Sequence, residues 1–154
     1  MKEYFSKPDI SEEVFKKAFG EMKKEGLNIP PKCNYLLDGY VVEYISRKSI
    51  SKIFTVKPEF TNPMSVLQGG ILVAFMDDTI GPLSYAIVKG PIVTTSLNTN
   101  YVRGVGENEK VLVKAEAVSI SPFSIFFEAK AFDEKGKLVA SMTSQNLILK
   151  SNKN

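Results

Sequence analysis

The chain has 154 residues, 44% of them hydrophobic and 24% charged, which fits one compact folded domain and excludes a disordered chain. Its formal net charge of +3 is spread along the sequence. That bias is too weak to indicate a nucleic-acid partner, although it would suit an anionic ligand. A single cysteine, Cys33, excludes a disulfide framework and a cysteine metal cluster. The absence of histidine excludes a Ser-His-Asp triad, a Cys-His pair and histidine-ligated zinc within this chain.

The N-terminal MKEYFSKPDISEE has no apolar h-region, so a cytoplasmic location is expected. Residues 9–26 predict an amphipathic helix, with Val14, Phe15, Ala18, Phe19 and Met22 on one stripe. Asp9 with Glu12, or Ser11, would cap its start, and Gly26 sits where it would stop. Pro30 and Pro31 mark a break, which leaves 1–30 as an N-terminal helical extension and 31–154 as the main body of a single domain.

From about 34 to 57 the pattern is strand-like. Tyr40–Ile45 and Ile50–Val56 flank a polar turn at Ser46–Ser49, and Asp38-Gly39 is a further turn signal. Residues 58–67, with Pro58 and Pro63, read as a loop. A long apolar helix follows over 69–88, with Gly81-Pro82 expected to bend or end it. Asp77 and Asp78 lie mid-run, which argues against a membrane span and for a helix buried in protein. Four strands then follow, at 92–103, 110–120, 124–132 and 138–149. A turn at Gly104, Gly106 and Asn108 joins the first two, and Asp133–Gly136 makes a hairpin. Ile125, Phe127, Ala129 and Ala131 alternate with more polar positions, as a half-buried strand requires.

This order predicts an α+β fold, a curved antiparallel sheet wrapped around one long central helix, with an extra helix at the N-terminus. Such a sheet leaves edge strands to be covered, so a homo-oligomer is expected.

The chemistry concentrates in 62–79. Gly69-Gly70 at a helix start exposes backbone N–H groups that lack intrahelical partners, and the helix dipole adds partial positive charge there. Such groups can hold the negative charge that develops on a carbonyl oxygen under attack. Asp77 lies about two turns on, roughly 12 Å along one helix, too far for one carbonyl to meet both. A symmetric dimer solves this by facing Gly69 of one subunit with Asp77 of the other. No i±3 or i±4 neighbour of Asp77 carries a positive charge, so a functional role is favoured over a paired core carboxylate. Cys33 reads as a spectator.

Asn62, Gln68-Gly69-Gly70 and Asp77 resemble the pattern Asn-x5-His-Gly-Gly-x6-Asp. Thr94-Thr-Ser-Leu97-Asn-Thr-Asn100-Tyr101-Val-Arg103 resembles the strand that follows it. Together they mark hotdog-fold thioesterases of the phenylacetyl-CoA thioesterase-like (PaaI-like) group. The resemblance covers about 40–150 and implies a hotdog domain that hydrolyses acyl-CoA without metal or other cofactor, as a dimer at least, with dimers commonly paired into tetramers. It implies Asp77 as general base or nucleophile, Gly69 polarising the carbonyl, and Asn62 positioning the carbonyl or the water. A hydroxyl at Thr94, or at Thr95 after a shift of one, would orient the attacking water. Gly70 and Arg103 would contact substrate, Arg103 at a CoA phosphate.

Gln68 stands where the group usually carries histidine. Its amide donates a hydrogen bond but cannot shuttle a proton near pH 7. The alternative reading is therefore a non-catalytic acyl-CoA-binding or regulatory hotdog protein. A hotdog dehydratase or hydratase fits less well, because those usually pair a histidine with a carboxylate. Phe75, Met76, Leu83 and Tyr85 are candidates for lining an acyl pocket or for the core.

Overall fold

The computed structural model describes residues 1–20 and 30–149. Ahead of Tyr40 lie a 3₁₀ turn at Lys2–Ser6, helix α1 at Ser11–Phe19 and helix α2 at Lys32–Leu37, so the helical N-terminal extension reaches past residue 30. The expected helix over 9–26 is thus seen as α1, and its later part, with Met22 and Gly26, lies outside the described residues. Its apolar stripe packs as expected, with Val14, Ala18 and Phe19 buried. The expected cap is absent. The Asp9 carboxylate accepts the Ser11 N–H at 2.8 Å, while Ser11 Oγ accepts the Val41 N–H at 2.8 Å and ties α1 to the sheet.

Residues 32–37 correct the strand-like reading that begins at 34. Pro31 enters in an extended conformation that suits a helix start, and Asp38, at φ 57°, ends the helix in the left-handed region. Asp38-Gly39 therefore terminates a helix. At Gly39 the ring of Phe54 lies 2.1 Å from where a Cβ would stand, so only glycine fits beneath it.

Strands β1 (Tyr40–Ile45) and β2 (Ser49–Thr55) form a hairpin. Helix α3 (Gly69–Val88) comes next, then β3 (Ile92–Tyr101), β4 (Lys110–Ile120), β5 (Ser124–Phe132) and β6 (Leu138–Ile148). Among the described residues they make one six-stranded antiparallel sheet in the order β1-β2-β4-β5-β6-β3. In β5 the buried residues are Ile125, Phe127, Ala129 and Ala131, the alternation expected of a half-buried strand.

Two sequence expectations are corrected here. Helix α3 does not end at Gly81-Pro82 but continues to Val88, and Pro82 is buried with Ile80 and Leu83, so packing offsets the roughly 3 kcal/mol that an internal proline costs. Residues 102–109 are a crossover rather than a hairpin turn, because β3 pairs with β6 and not with β4. Val105 is buried at the middle of that crossover. It is pinned to the 56–67 segment by Leu67 N–H to Val105 O, Val56 N–H to Glu109 O and Asn108 N–H to Val56 O, at 2.8, 2.9 and 2.8 Å.

The main core lies between α3 and the concave face of the sheet. Phe75 of α3 stacks on Phe54 of β2 with centroids 4.3 Å apart and meets Phe60 edge-on at 5.8 Å. Each such pair adds about 0.5–1.5 kcal/mol beyond simple burial. On the outer face, Tyr4 and Phe5 cover Val42, Ile53 and Leu112. Strand β2 is therefore buried on both sides.

Among the described residues, one charged side chain belongs to this core. Lys52 alternates with Ile50 and Phe54 on the inner face of β2 and is fully buried. Its ammonium bonds the Asp78 carboxylate of α3 and the Asn34 side-chain oxygen of α2 at 2.9 Å. Burial pulls the Lys52 ammonium below its usual lysine value, and the Asp78 carboxylate works against that. Three elements are thus locked together at one point.

Two stability outcomes are expected. Gly39→Ala forces a methyl into the Phe54 ring and should cost about 1–3 kcal/mol in denaturant unfolding. Lys52→Met strands the Asp78 charge and should cost about 3–5 kcal/mol. The double change Lys52→Met with Asp78→Leu should recover most of that loss. A double variant no more stable than Lys52→Met would mean that the pair is not the cause.

Candidate active site

Asp77 and Asp78 are adjacent on α3, so their side chains leave the helix about 100° apart. Asp78 turns to Lys52 and is 7% exposed. Asp77 turns to the opposite end of the sheet, where β3 closes against β6. There the Thr94 hydroxyl donates to Asp77 Oδ1 at 3.3 Å. Among the described residues Asp77 has no cationic partner within ion-pair distance.

The direction of that hydrogen bond is set from behind. Ser144 Oγ donates to Asn146 Oδ1 at 2.7 Å, and Asn146 Nδ2 donates to Thr94 Oγ1 at 3.2 Å. A threonine hydroxyl that accepts from an amide must spend its own proton elsewhere, and the carboxylate receives it. Ser144 and Asn146 are both buried on β6, two residues apart and therefore on one face. They were not selected from the sequence, because nothing there pairs β6 with β3. The period-2 spacing of two small polar residues within an otherwise apolar inward face is the one signal available.

Thr94 and Thr95 separate cleanly. The β3–β6 register slips between Thr94 and Ser96, so Thr95 is the extra residue of a bulge. Its hydroxyl donates to the Gln145 carbonyl at 2.9 Å. Thr94 is thus the hydroxyl that reaches Asp77.

Burial raises the Asp77 carboxyl above its ordinary value. The Thr94 hydrogen bond opposes this, and the neighbouring Asp78 charge adds to it. The result is a carboxylate held in place, partly desolvated and only incompletely compensated.

The start of α3 carries a second group of residues. Gln68 is the N-cap, and its side-chain oxygen accepts the Gly69 N–H at 3.0 Å. Ile71 and Leu72 N–H both bond Gln68 O, at 2.9 and 3.0 Å. The Gly70 N–H meets no acceptor among the described residues, and a Cβ at Gly70 would meet nothing within 4 Å. Tyr101, from the end of β3, lies over Gly69. Its hydroxyl donates to Gly69 O at 3.0 Å, and a Cβ at Gly69 would stand 3.1 Å from its ring.

Asn62 orders the loop that delivers this helix start. Its side-chain oxygen accepts the Met64 N–H at 2.9 Å and the Val66 N–H at 3.4 Å, which leaves its Nδ2 for any further contact. Arg103 donates from Nε to the Leu138 carbonyl at 2.7 Å and is exposed. The structure therefore brings Thr94 to Asp77, and Asn62, Gln68, Gly69 and Gly70 to the other end, two turns away along α3.

Beside Asp77 lies a cavity of about 240 Å³ between α1, α2 and α3. Tyr85 lines it, whereas Phe75, Met76 and Leu83 belong to the core. Among the described residues, no group of three or more His, Cys, Asp or Glu side chains converges in a way that could hold a metal ion.

The model of the thioesterase superfamily matches residues 64–140, half of the chain. No curated protein matches significantly. Among solved structures, the Escherichia coli PaaI protein from the phenylacetic acid degradation operon is 12% identical with a TM-score of 0.77, over 89% of this chain and 96% of that one. A putative thioesterase from Ralstonia eutropha JMP134, described as phenylacetic acid degradation-related, is 21% identical with a TM-score of 0.73, over 85% and 99%. A hypothetical thioesterase protein from Streptococcus pneumoniae TIGR4, solved with coenzyme A, is 16% identical with a TM-score of 0.68, over 72% and 85%. These likenesses establish a shared fold. With the family-model match over half of the sequence, the chain belongs to the thioesterase superfamily, and it carries the hotdog fold that it shares with these solved structures.

Proposed function

We propose that this protein hydrolyses acyl-CoA thioesters, with Asp77 as the group that drives attack on the thioester carbon. One observation carries the reading: Asp77 is a partly buried carboxylate with no cationic partner among the described residues, oriented by a Thr94 hydroxyl, on the wall of a cavity. A carboxylate raised by burial is a better base at neutral pH than an ordinary one.

In this scheme Thr94 holds Asp77 Oδ1, and Oδ2 takes a proton from water as the water oxygen bonds the carbonyl carbon. The carbonyl oxygen gains the negative charge. Collapse then breaks the C–S bond, the free acid leaves, and the CoA sulfur receives the proton from Asp77. In an equivalent route the carboxylate itself attacks, and water cleaves the resulting anhydride.

The developing oxyanion needs donors that Asp77's own helix start cannot supply, since the two lie about 12 Å apart. A second copy supplies them. The free Gly70 N–H is the donor at hand, and the Gly69 N–H joins it when the Gln68 side chain swings aside. The outer edge of β3 supports the dimer. It is a ten-residue edge strand and mostly exposed. Asn62 Nδ2 and Arg103 are then candidates for contacts to substrate across that interface.

A second reading rests on Gln68. Its oxygen occupies the Gly69 amide, and no histidine is present to move protons, so the protein would bind acyl-CoA without cleaving it.

Purified protein should release free thiol from acyl-CoAs, and Asp77→Ala should lose about a hundredfold or more of kcat. Turnover unaltered in Asp77→Ala would sink the assignment, and saturable binding without thiol release would select the second reading. Asp77 should also leave a mark on stability. Its folded carboxyl is raised above the unfolded one, so the native state is penalised as pH climbs through and beyond the ordinary carboxylate value. Asp77→Asn should therefore be the more stable protein at neutral pH. The advantage should vanish below about pH 4, where the carboxyl is protonated in both states. An advantage that grows on acidification would contradict the assigned ionisation.

A further inference from the structure

The cavity beside Asp77 is not made by the sheet. Its roof is the N-terminal extension, with Phe15 and Phe19 from α1 and Asn34 from α2, and its floor is the face of α3 that carries Asp77, Gly81 and Tyr85. Phe15, Phe19 and Tyr85 form a continuous aromatic wall, with centroids 5.6 Å and then 5.8 Å apart. Gly81 opens the floor, because a Cβ there would meet nothing within 4 Å. Glycine costs stability in the middle of a helix, so an open glycine at this spot calls for a reason. Space for a ligand is one.

We propose that this cavity is the acyl chamber, built by the N-terminal extension, and that it admits compact, uncharged acyl groups while excluding long ones. Two observations set the selectivity. An apolar cavity of about 150 Å³ takes benzene, so the volume here of about 240 Å³ fits an acyl group of roughly six to ten carbons. The polar end of the cavity carries the Asp77 and Asp78 carboxylates, and Lys52 is already spent on Asp78. No described cation is left there to receive a carboxylate at the distal end of an acyl group, so dicarboxylic acyl groups are rejected. The location rests on the thioesterase reading, because the acyl carbon must reach Asp77. Occupancy of the chamber does not need hydrolysis to occur.

The chain's single cysteine provides a separate readout. Cys33 is exposed and lies on the rim of the cavity. Alkylation of Cys33 by iodoacetamide should slow several-fold with the non-hydrolysable thioether S-octyl-CoA and not with S-methyl-CoA. In Gly81→Leu, which fills the floor, that protection should disappear. Gly81→Ala, which favours the helix and adds one methyl, should keep most of it. In turnover, Gly81→Leu should lower kcat/KM for octanoyl-CoA at least about tenfold relative to acetyl-CoA. Phe15→Ala should move the optimum to longer chains, a gain that damage to the fold would not produce. Adipoyl-CoA should be a poor substrate in all of them.

If octyl and methyl thioethers protect Cys33 equally, and Gly81→Leu leaves the chain-length profile unchanged, the chamber is elsewhere. If protection follows chain length and is lost in Gly81→Leu while no acyl-CoA is cleaved, the chamber stands and the hydrolytic reading falls.

Discussion

Helix α3 is apolar on almost every side, and a helix of that kind is stable in water only if it is wrapped. The sheet does the wrapping, with β2, β4, β5 and β6 contributing inward residues to one core around Phe75, Met76, Ile80 and Leu83. Every other feature of the molecule answers to this enclosure. The crossover at 102–109 places β3 and β4 in separate parts of the sheet, and the extension closes the side of α3 that the strands leave open. Pro82 lies inside this helix and is buried with it.

A wrapped helix makes any carboxylate on it expensive, and two occur in succession. The molecule treats them oppositely. Asp78 receives a buried ammonium and becomes part of the framework joining α2, β2 and α3. Asp77 receives a hydroxyl whose orientation is dictated by Asn146 and Ser144. A hydroxyl stabilises a carboxylate less than an ammonium does, so Asp77 keeps more of its basicity. The difference of about 100° around the helix axis thus separates an acid paired with an ammonium from one held by a hydroxyl. Lys52 has a further consequence. By neutralising Asp78 it limits the repulsion that a second bare carboxylate would impose on Asp77.

Much of this was legible from residue order. The long helix, the β5 alternation and the Asp133–Gly136 turn follow from local periodicity and spacing, and the structure bears out each of these placements. The preference for Asp77 over Asp78 also comes from spacing, and in the structure Asp78 pairs with Lys52 while Asp77 accepts from Thr94. Local patterns misled at 32–37, where a six-residue helix has too few turns to announce a period, and at 102–109, where glycines that suggest a hairpin serve a crossover. Lys52 was also invisible, since a lysine in a strand reads as solvent-facing until its partner is known.

What the sequence determined by itself is everything that depends on neighbours along the chain. That covers the elements, the apolar character that forces α3 inside, the helix-start glycines, and an acid without a cation one turn away in either direction. Only the tertiary structure decided what depends on distant segments meeting. It paired β6 with β3, which aims Thr94 at Asp77. It set Lys52 against Asp78, and it laid α1 and α2 over the floor at Gly81. Hydrogen bonds and ion pairs act over about 3 Å, and the residues they join here are between 17 and 52 positions apart in the chain. No local period records such a meeting, because it is the closing of the sheet around α3 that creates it.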